Sequence, residues 1–246
     1  MEEPALLSAS GLTVAFGGVR AVGNVGFDLC PNELICIIGP NGAGKSTLLN
    51  ILSGTQIPDS GTLRLDGRDM VGQPLHAYCR SGIARKFQGA NVFSQLSVRD
   101  NLIVAGVAVE THSGVAIPDA DEILDIVKLA PQARSPASSA SHGQRQWLEV
   151  GMTLMCRPRI LLLDEPTAGM TVEGTKDMAL LVSRLRERCA IAVIEHDMSF
   201  VRALNCRTLV MHQGELIGDG AFGVLQESAF IRNVYLGRSA RTHAQH

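Results

Sequence analysis

Nine consecutive residues restrict the fold of this 246-residue chain more than any others. Gly39-Pro40-Asn41-Gly42-Ala43-Gly44-Lys45-Ser46-Thr47 fits the pattern GxxxxGK[ST] in full. The nine residues sit between an apolar run, Leu34-Ile35-Cys36-Ile37-Ile38, and a segment of helical character, Ser46 to Leu52. A buried strand that runs into a glycine turn and re-enters as a helix makes a cradle for phosphate. Phosphate oxygens need many N–H donors at close range. Glycines let the backbone wrap without Cβ clashes, and the helix aims its positive end inward. Lys45 is placed to reach the β- and γ-phosphates of a nucleoside triphosphate, and the Ser46 hydroxyl to ligate Mg²⁺.

Around this turn, short apolar strands alternate with glycine turns and amphipathic helices, the rhythm of an α/β fold with a largely parallel sheet. Ile160 to Leu163, Ala190 to Ile194 and Thr208 to Met211 read as further strands. From Val172 to Cys189, apolar Met178, Leu181, Val182 and Leu185 fall at helical spacing. Two stretches depart from the rhythm. Leu6 to Leu29 is rich in Gly, Val and Thr without helical period and reads as antiparallel strands. Between Gln88 and Ser141 the pattern turns helical: a helix is expected over Asp119 to Ala130, closed by Pro131, with a loop over Ala133 to Ala140.

A second constellation completes the chemistry. Arg159-Ile160-Leu161-Leu162-Leu163-Asp164-Glu165 is an apolar strand ending in two acids. Such a strand is flanked on both faces, so its C-terminal end opens onto the ligand crevice. There Asp164 would support the Mg²⁺ shell and Glu165 would activate a water against the γ-phosphate. His196 follows the next strand, where an imidazole can hydrogen-bond a γ-phosphate or the attacking water. Gln88, at the entry to the helical insert, is an uncharged group able to touch both metal and water.

Composition narrows the class. The formal net charge of −2 and the 4% aromatic content lack the basic stripe and stacking aromatics of a nucleic-acid reader. Cys30, Cys36, Cys79, Cys156, Cys189 and Cys206 show no ligand spacing and read as reduced core thiols. The acidic start, Met1-Glu2-Glu3-Pro4, is unlike a signal peptide, and no apolar run approaches the roughly 20 residues that span a bilayer.

These pieces, in this order, resemble the nucleotide-binding subunit of an ABC transporter over nearly the whole chain, from Leu6 to Arg238. Walker A is Gly39 to Thr47, the Q-loop Lys86-Phe87-Gln88, Walker B Ile160 to Glu165, and the switch histidine His196. Ala140-Ser141-His142-Gly143-Gln144 stands in the place of the family's LSGGQ signature. The resemblance implies a P-loop NTPase cassette: one domain over 1–246, with a RecA-like parallel core and antiparallel β subdomain (1–88 and 147–246) and a helical signature subdomain (89–146). It also implies that two ATP-binding subunits, identical or paralogous, sandwich two ATP molecules with Mg²⁺. Phe16 would then stack on adenine, while Ser141, Gly143 and Gln144 would face the nucleotide held by the opposing subunit. Further partners implied are transmembrane permease subunits and, indirectly, a substrate-binding protein, which place the chain peripherally on the cytoplasmic face of the membrane. Three departures stand out: in the signature Ala140 replaces the usual leucine and His142 the first of the two central glycines, and the D-loop, Ala168-Gly169-Met170-Thr171, lacks the family's aspartate. Arg85-Lys86-Phe87-Gln88, Ser141-His142-Gly143-Gln144, the stretch from Asp164 to Thr171, Glu195-His196-Asp197-Met198 and Val234-Tyr235-Leu236-Gly237-Arg238 resemble importers of the branched-chain amino acid and urea type. The main expectation is ATP-driven import of urea or a short amide. The alternatives are a branched-chain amino acid importer and, beyond that, a soluble ABC ATPase without a transport role.

Overall fold

The computed structural model describes residues 4–86, 92–113 and 116–231. The chain opens with β1 (Leu7–Phe16), β2 (Val19–Leu29) and β3 (Leu34–Ile38), followed by α1 (Lys45–Leu52). Next come β4 (Ser60–Leu65), β5 (Arg68–Asp69), α2 (Leu75–Arg80) and β6 (Ile83–Lys86). The helical stretch holds α3 (Val98–Ser113), α4 (Ala120–Ile126) and α5 (His142–Leu154). The C-terminal part runs β7 (Ile160–Asp164), α6 (Val172–Leu185), β8 (Ala190–Ile194), α7 (Met198–Leu204), β9 (Arg207–His212), β10 (Glu215–Ala221) and α8 (Phe222–Leu225).

Two sheets result. An antiparallel sheet runs β2-β1-β4-β5, and a six-stranded sheet runs β10-β9-β3-β8-β7-β6 with β9, β3, β8, β7 and β6 parallel. The expected α/β core, antiparallel N-terminal sheet and helical insert are all present.

Period-two alternation along the central strands builds two cores at once. Ile35, Ile37, Ile160, Leu162, Ala192 and Ile194 face the antiparallel sheet and α1, packing against Leu12, Val25, Leu48 and Leu52. Their neighbours Leu161, Leu163, Ile191 and Val193 face the opposite way, against Leu102 of α3, Leu148 of α5, Val182 of α6 and Phe200 of α7. Every residue of β3, β7 and β8 is buried, as strands covered on both faces must be.

Several boundaries differ from the sequence expectation. The helix expected over 119–130 stops at Ile126, because Lys128 adopts a left-handed φ of 55°. The Lys128 N–H bonds the Asp125 carbonyl and the Leu129 N–H the Leu124 carbonyl, a Schellman closure built without its usual glycine. Val127 and Leu129 thereby turn into the core, and Pro131 sits inside a short 3₁₀ turn, Ala130–Gln132. Another 3₁₀ turn, Ala137–Ser139, lies within the expected loop. The α6 helix ends at Leu185 rather than Cys189. Cys36 and Cys189 are core thiols as expected, but Cys79 is exposed. Among the described residues no helix is long and apolar enough to cross a membrane.

Candidate nucleotide site

Three parallel neighbours, β3, β8 and β7, end at one level. Pairing sets Ile194 opposite both Ile37 and Asp164. The 39–47 turn, Glu165 and the Glu195-His196 step therefore emerge on one rim, at the carboxyl ends where open α/β sheets take ligands.

The turn after β3 depends on glycine geometry. Gly42 (φ 78°) and Gly44 (φ 98°) are left-handed, and a Cβ on Gly44 would run into the Ala21 carbonyl oxygen. Gly44 is the N-cap of α1 and supplies no capping side chain, so no such group engages the first N–H donors of that helix. Lys45 is buried, and its Nζ donates to the carbonyls of Gly39 at 2.7 Å and Pro40 at 3.1 Å. Burial pushes the Lys45 ammonium below its ordinary pKa, while Glu165 and Asp164 pull it back up. Both acids are thus within electrostatic reach of the cradle.

Asp164 is buried at the end of β7, and Arg85 Nη2 donates to its Oδ2 at 3.0 Å. The other terminal nitrogen of that guanidinium donates to Asn50 Oδ1 at 2.6 Å and Ser53 Oγ at 3.2 Å. Desolvation offsets much of the Coulomb gain in a buried pair of this kind. Its clear consequence is geometric: the carboxylate, β6 and the end of α1 are held together. Glu165 is a non-glycine residue at φ 46°, a conformation costing about 1–3 kcal/mol and concentrated at functional positions. Its N–H bonds the Ile194 carbonyl at 3.0 Å, and its Oε1 lies 3.4 Å from His196 Nδ1.

Beneath His196, the fully buried Glu195 carboxylate accepts from Thr167 N (3.0 Å), Thr167 Oγ1 (2.6 Å), His196 N (3.1 Å) and Asp197 N (3.4 Å). This one side chain joins the loop after β7 to the loop after β8.

Ser141 is the N-cap of α5. Its Oγ accepts from Gln144 N at 3.3 Å, and Gln144 Oε1 accepts from Ser141 N at 2.8 Å, a complete capping box. Space is open around Gly143, where an added Cβ would meet nothing within 4 Å. Thr171, in the place of the family's D-loop aspartate, caps α6 by accepting from Gly174 N at 3.2 Å. Phe16 is half exposed at the end of β1, ahead of the left-handed pair Gly17-Gly18. Gln88 and the phrase from Val234 to Arg238 lie outside the described residues. Beside the Lys86 end of β6, a cavity of about 460 Å³ is lined by Leu75, Ile83, Met152 and Cys156 together with the buried Lys86–Glu149 ion pair at 2.9 Å.

Sequence reasoning did not single out Arg85, Glu195, Thr171 or the Lys86–Glu149 pair. Glu195, a charged residue at the end of an apolar strand, carried a signal, whereas Arg85 and Lys86 lie on a four-residue strand and Glu149 within a helix. Thr171 carried the usual helix-start signal, a hydroxyl residue just before a helical run.

The sequence profile of the family described as ABC transporter matches residues 22–168 of the chain. The chain belongs to the ABC transporter family. The high-affinity branched-chain amino acid transport ATP-binding protein BraF of Pseudomonas aeruginosa is 35% identical over 251 residues, covering 95% of this chain and 98% of BraF. LivG of Escherichia coli K12, which carries the same description, is 34% identical over 256 residues, covering 97% and 100%. A crystal structure of the ADP conformation of an ATP-binding cassette of an ABC transporter superposes with a TM-score of 0.84 at 24% identity, over 95% of this chain and 99% of that one. The fold is that of an ABC cassette, and the chain is an ATP-binding ABC ATPase. BraF and LivG are described as branched-chain amino acid transport proteins, so these relatives back the alternative expectation for the solute better than urea.

Proposed function

We propose that this chain binds and hydrolyses ATP to power import of branched-chain amino acids through membrane permease subunits, on whose cytoplasmic side it sits peripherally. End-to-end similarity to BraF and LivG carries the solute assignment. The shared rim of the 39–47 turn, Glu165 and His196 supports the chemistry.

In this reading the cradle N–H groups and Lys45 hold the triphosphate, and Phe16 stacks on the base. The Ser46 hydroxyl and the Asp164 carboxylate are hard oxygen donors that fit Mg²⁺, with Gln88 completing the set. The ion supplies charge neutralisation at the phosphates. Arg85 keeps Asp164 in orientation, Glu165 takes a proton from the attacking water, and His196 registers the γ-phosphate. Ser141, Gly143 and Gln144 contact the nucleotide of a second ATP-binding subunit. The Ser141 hydroxyl accepts from Gln144 N and still carries a proton to donate. The helical segment 89–146, which follows Gln88 in the sequence, passes the closing motion to the permease; the cavity between β6 and α5 opens beside Lys86.

Uptake by cells lacking this chain tests the solute. Loss of labelled leucine, isoleucine and valine uptake, restored by the wild-type chain and not by Glu165→Gln, is the expected result. Intact branched-chain uptake with lost urea uptake would overturn the assignment in favour of a urea importer.

A further inference from the structure

One departure from the family pattern, His142, reaches the loop that lacks the family's aspartate, three residues before Thr171. His142 is the first residue of α5, and its Nε2 lies 2.8 Å from the carbonyl oxygen of Ala168 in the D-loop. A carbonyl only accepts, so the bond requires a proton on Nε2. Position 169 is shaped around the same ring. Gly169 is left-handed at φ 71°, and a Cβ there would stand 2.8 Å from His142 Nε2 and 3.0 Å from its Cδ2. The imidazole fills the space a side chain at 169 would take.

The rest of the loop is held by other groups. The Glu165 N–H bonds Ile194, Thr167 is fastened to the buried Glu195 carboxylate, and Thr171 caps α6. The Ala168 carbonyl, at the bend between these anchors, is taken by His142. About two turns further along α5, Glu149 pairs with Lys86 at the end of β6. The signature helix is therefore tied both to the loop that follows Asp164-Glu165 and to the strand that leads into Gln88.

We infer that His142 is a positioning residue: its Nε2–H bond to Ala168 makes the signature turn, Ser141 to Gln144, and the loop after Glu165 move as one body within a single chain. A nucleotide contact at the signature then shifts Glu165's loop directly rather than through the core. The inference rests on the proposed reading that the chain hydrolyses ATP.

Three full-length variants test it. His142→Leu keeps bulk and removes the donor; His142→Ala removes both. His142→Gln carries an amide N–H near the position of Nε2. One hydrogen bond of this class corresponds to a change of about fivefold. In His142→Leu and His142→Ala, kcat for ATP is expected to fall by about that factor with KM essentially unchanged. Amide hydrogen exchange should rise at residues 168–170 and not along the buried face of α5. His142→Gln should restore both readouts. Wild-type kcat and wild-type exchange at 168–170 in His142→Leu would overturn the inference, as would a defect in that variant that His142→Gln does not repair. Absence of ATP hydrolysis by the wild-type chain would instead remove the underlying functional reading, while the exchange comparison would still judge the tie.

Discussion

Two helices begin at the edge of the site, and they begin in opposite ways. The α1 helix starts on Gly44, left-handed and without a capping side chain. The α5 helix starts on Ser141, with a reciprocal capping box closed by Gln144 and a histidine in its first turn bonded to a neighbouring loop. An N-terminus without a side-chain cap leaves its donors for an outside acceptor. An N-terminus closed by its own side chains is mechanically complete and can be carried as a rigid piece. The first arrangement suits a phosphate cradle. The second suits a segment that must arrive at a nucleotide already formed.

That contrast can be broken or sharpened by substitution. The largest effect belongs to the rim that both helices serve. Glu165→Gln keeps the shape of the side chain and removes the base, so steady-state phosphate release should fall by about 10²–10⁴-fold while ATP still binds. Release near the wild-type rate would take Glu165 out of that role. Lys45→Ala strikes the cradle itself. Charge-assisted hydrogen bonds contribute about 1.5–3 kcal/mol, so calorimetric titration should show ATP affinity lower by about one to two orders of magnitude. An unchanged affinity would mean that α1 is not the ligand-built end. The smallest effect belongs to the capped helix. Ser141→Ala should cost about 1 kcal/mol, seen as a Tm lower by about 2–4 °C in a chain of this size. Its loss of ATP affinity should be far smaller than that of Lys45→Ala; an equal loss would erase the distinction between the two helix starts.

Legibility in the sequence followed the range of the forces involved. The apolar runs of β3, β7 and β8 were readable because strands buried on both faces leave no polar positions, and the helical period of α6 was readable because one of its faces meets a core. The end of α4 was not, since a lysine rather than a glycine takes the left-handed position and the proline beyond it marks a different turn. Strands β4 and β5, helix α2 and strand β6 also went unread. β5 is two residues long and β6 four, too short to carry a period of their own, so their pairing with neighbours defines them.

The same division holds at the site. Residue order within nine positions was enough to specify the cradle, because the phosphate-binding turn is built from consecutive backbone N–H groups and a lysine beside them. The capping box of Ser141 and Gln144 was also within local reach, three residues apart on one turn. By contrast, Arg85 and Asp164 lie 79 positions apart, Thr167 and Glu195 28, and His142 and Ala168 26. No local preference links such pairs. Only the parallel register of β6, β7 and β8, together with the packing of α5 against that sheet, brings each donor to its acceptor. What the backbone does over one turn is written in the adjacent residues, whereas which distant charges and carbonyls meet is decided by how the layers pack.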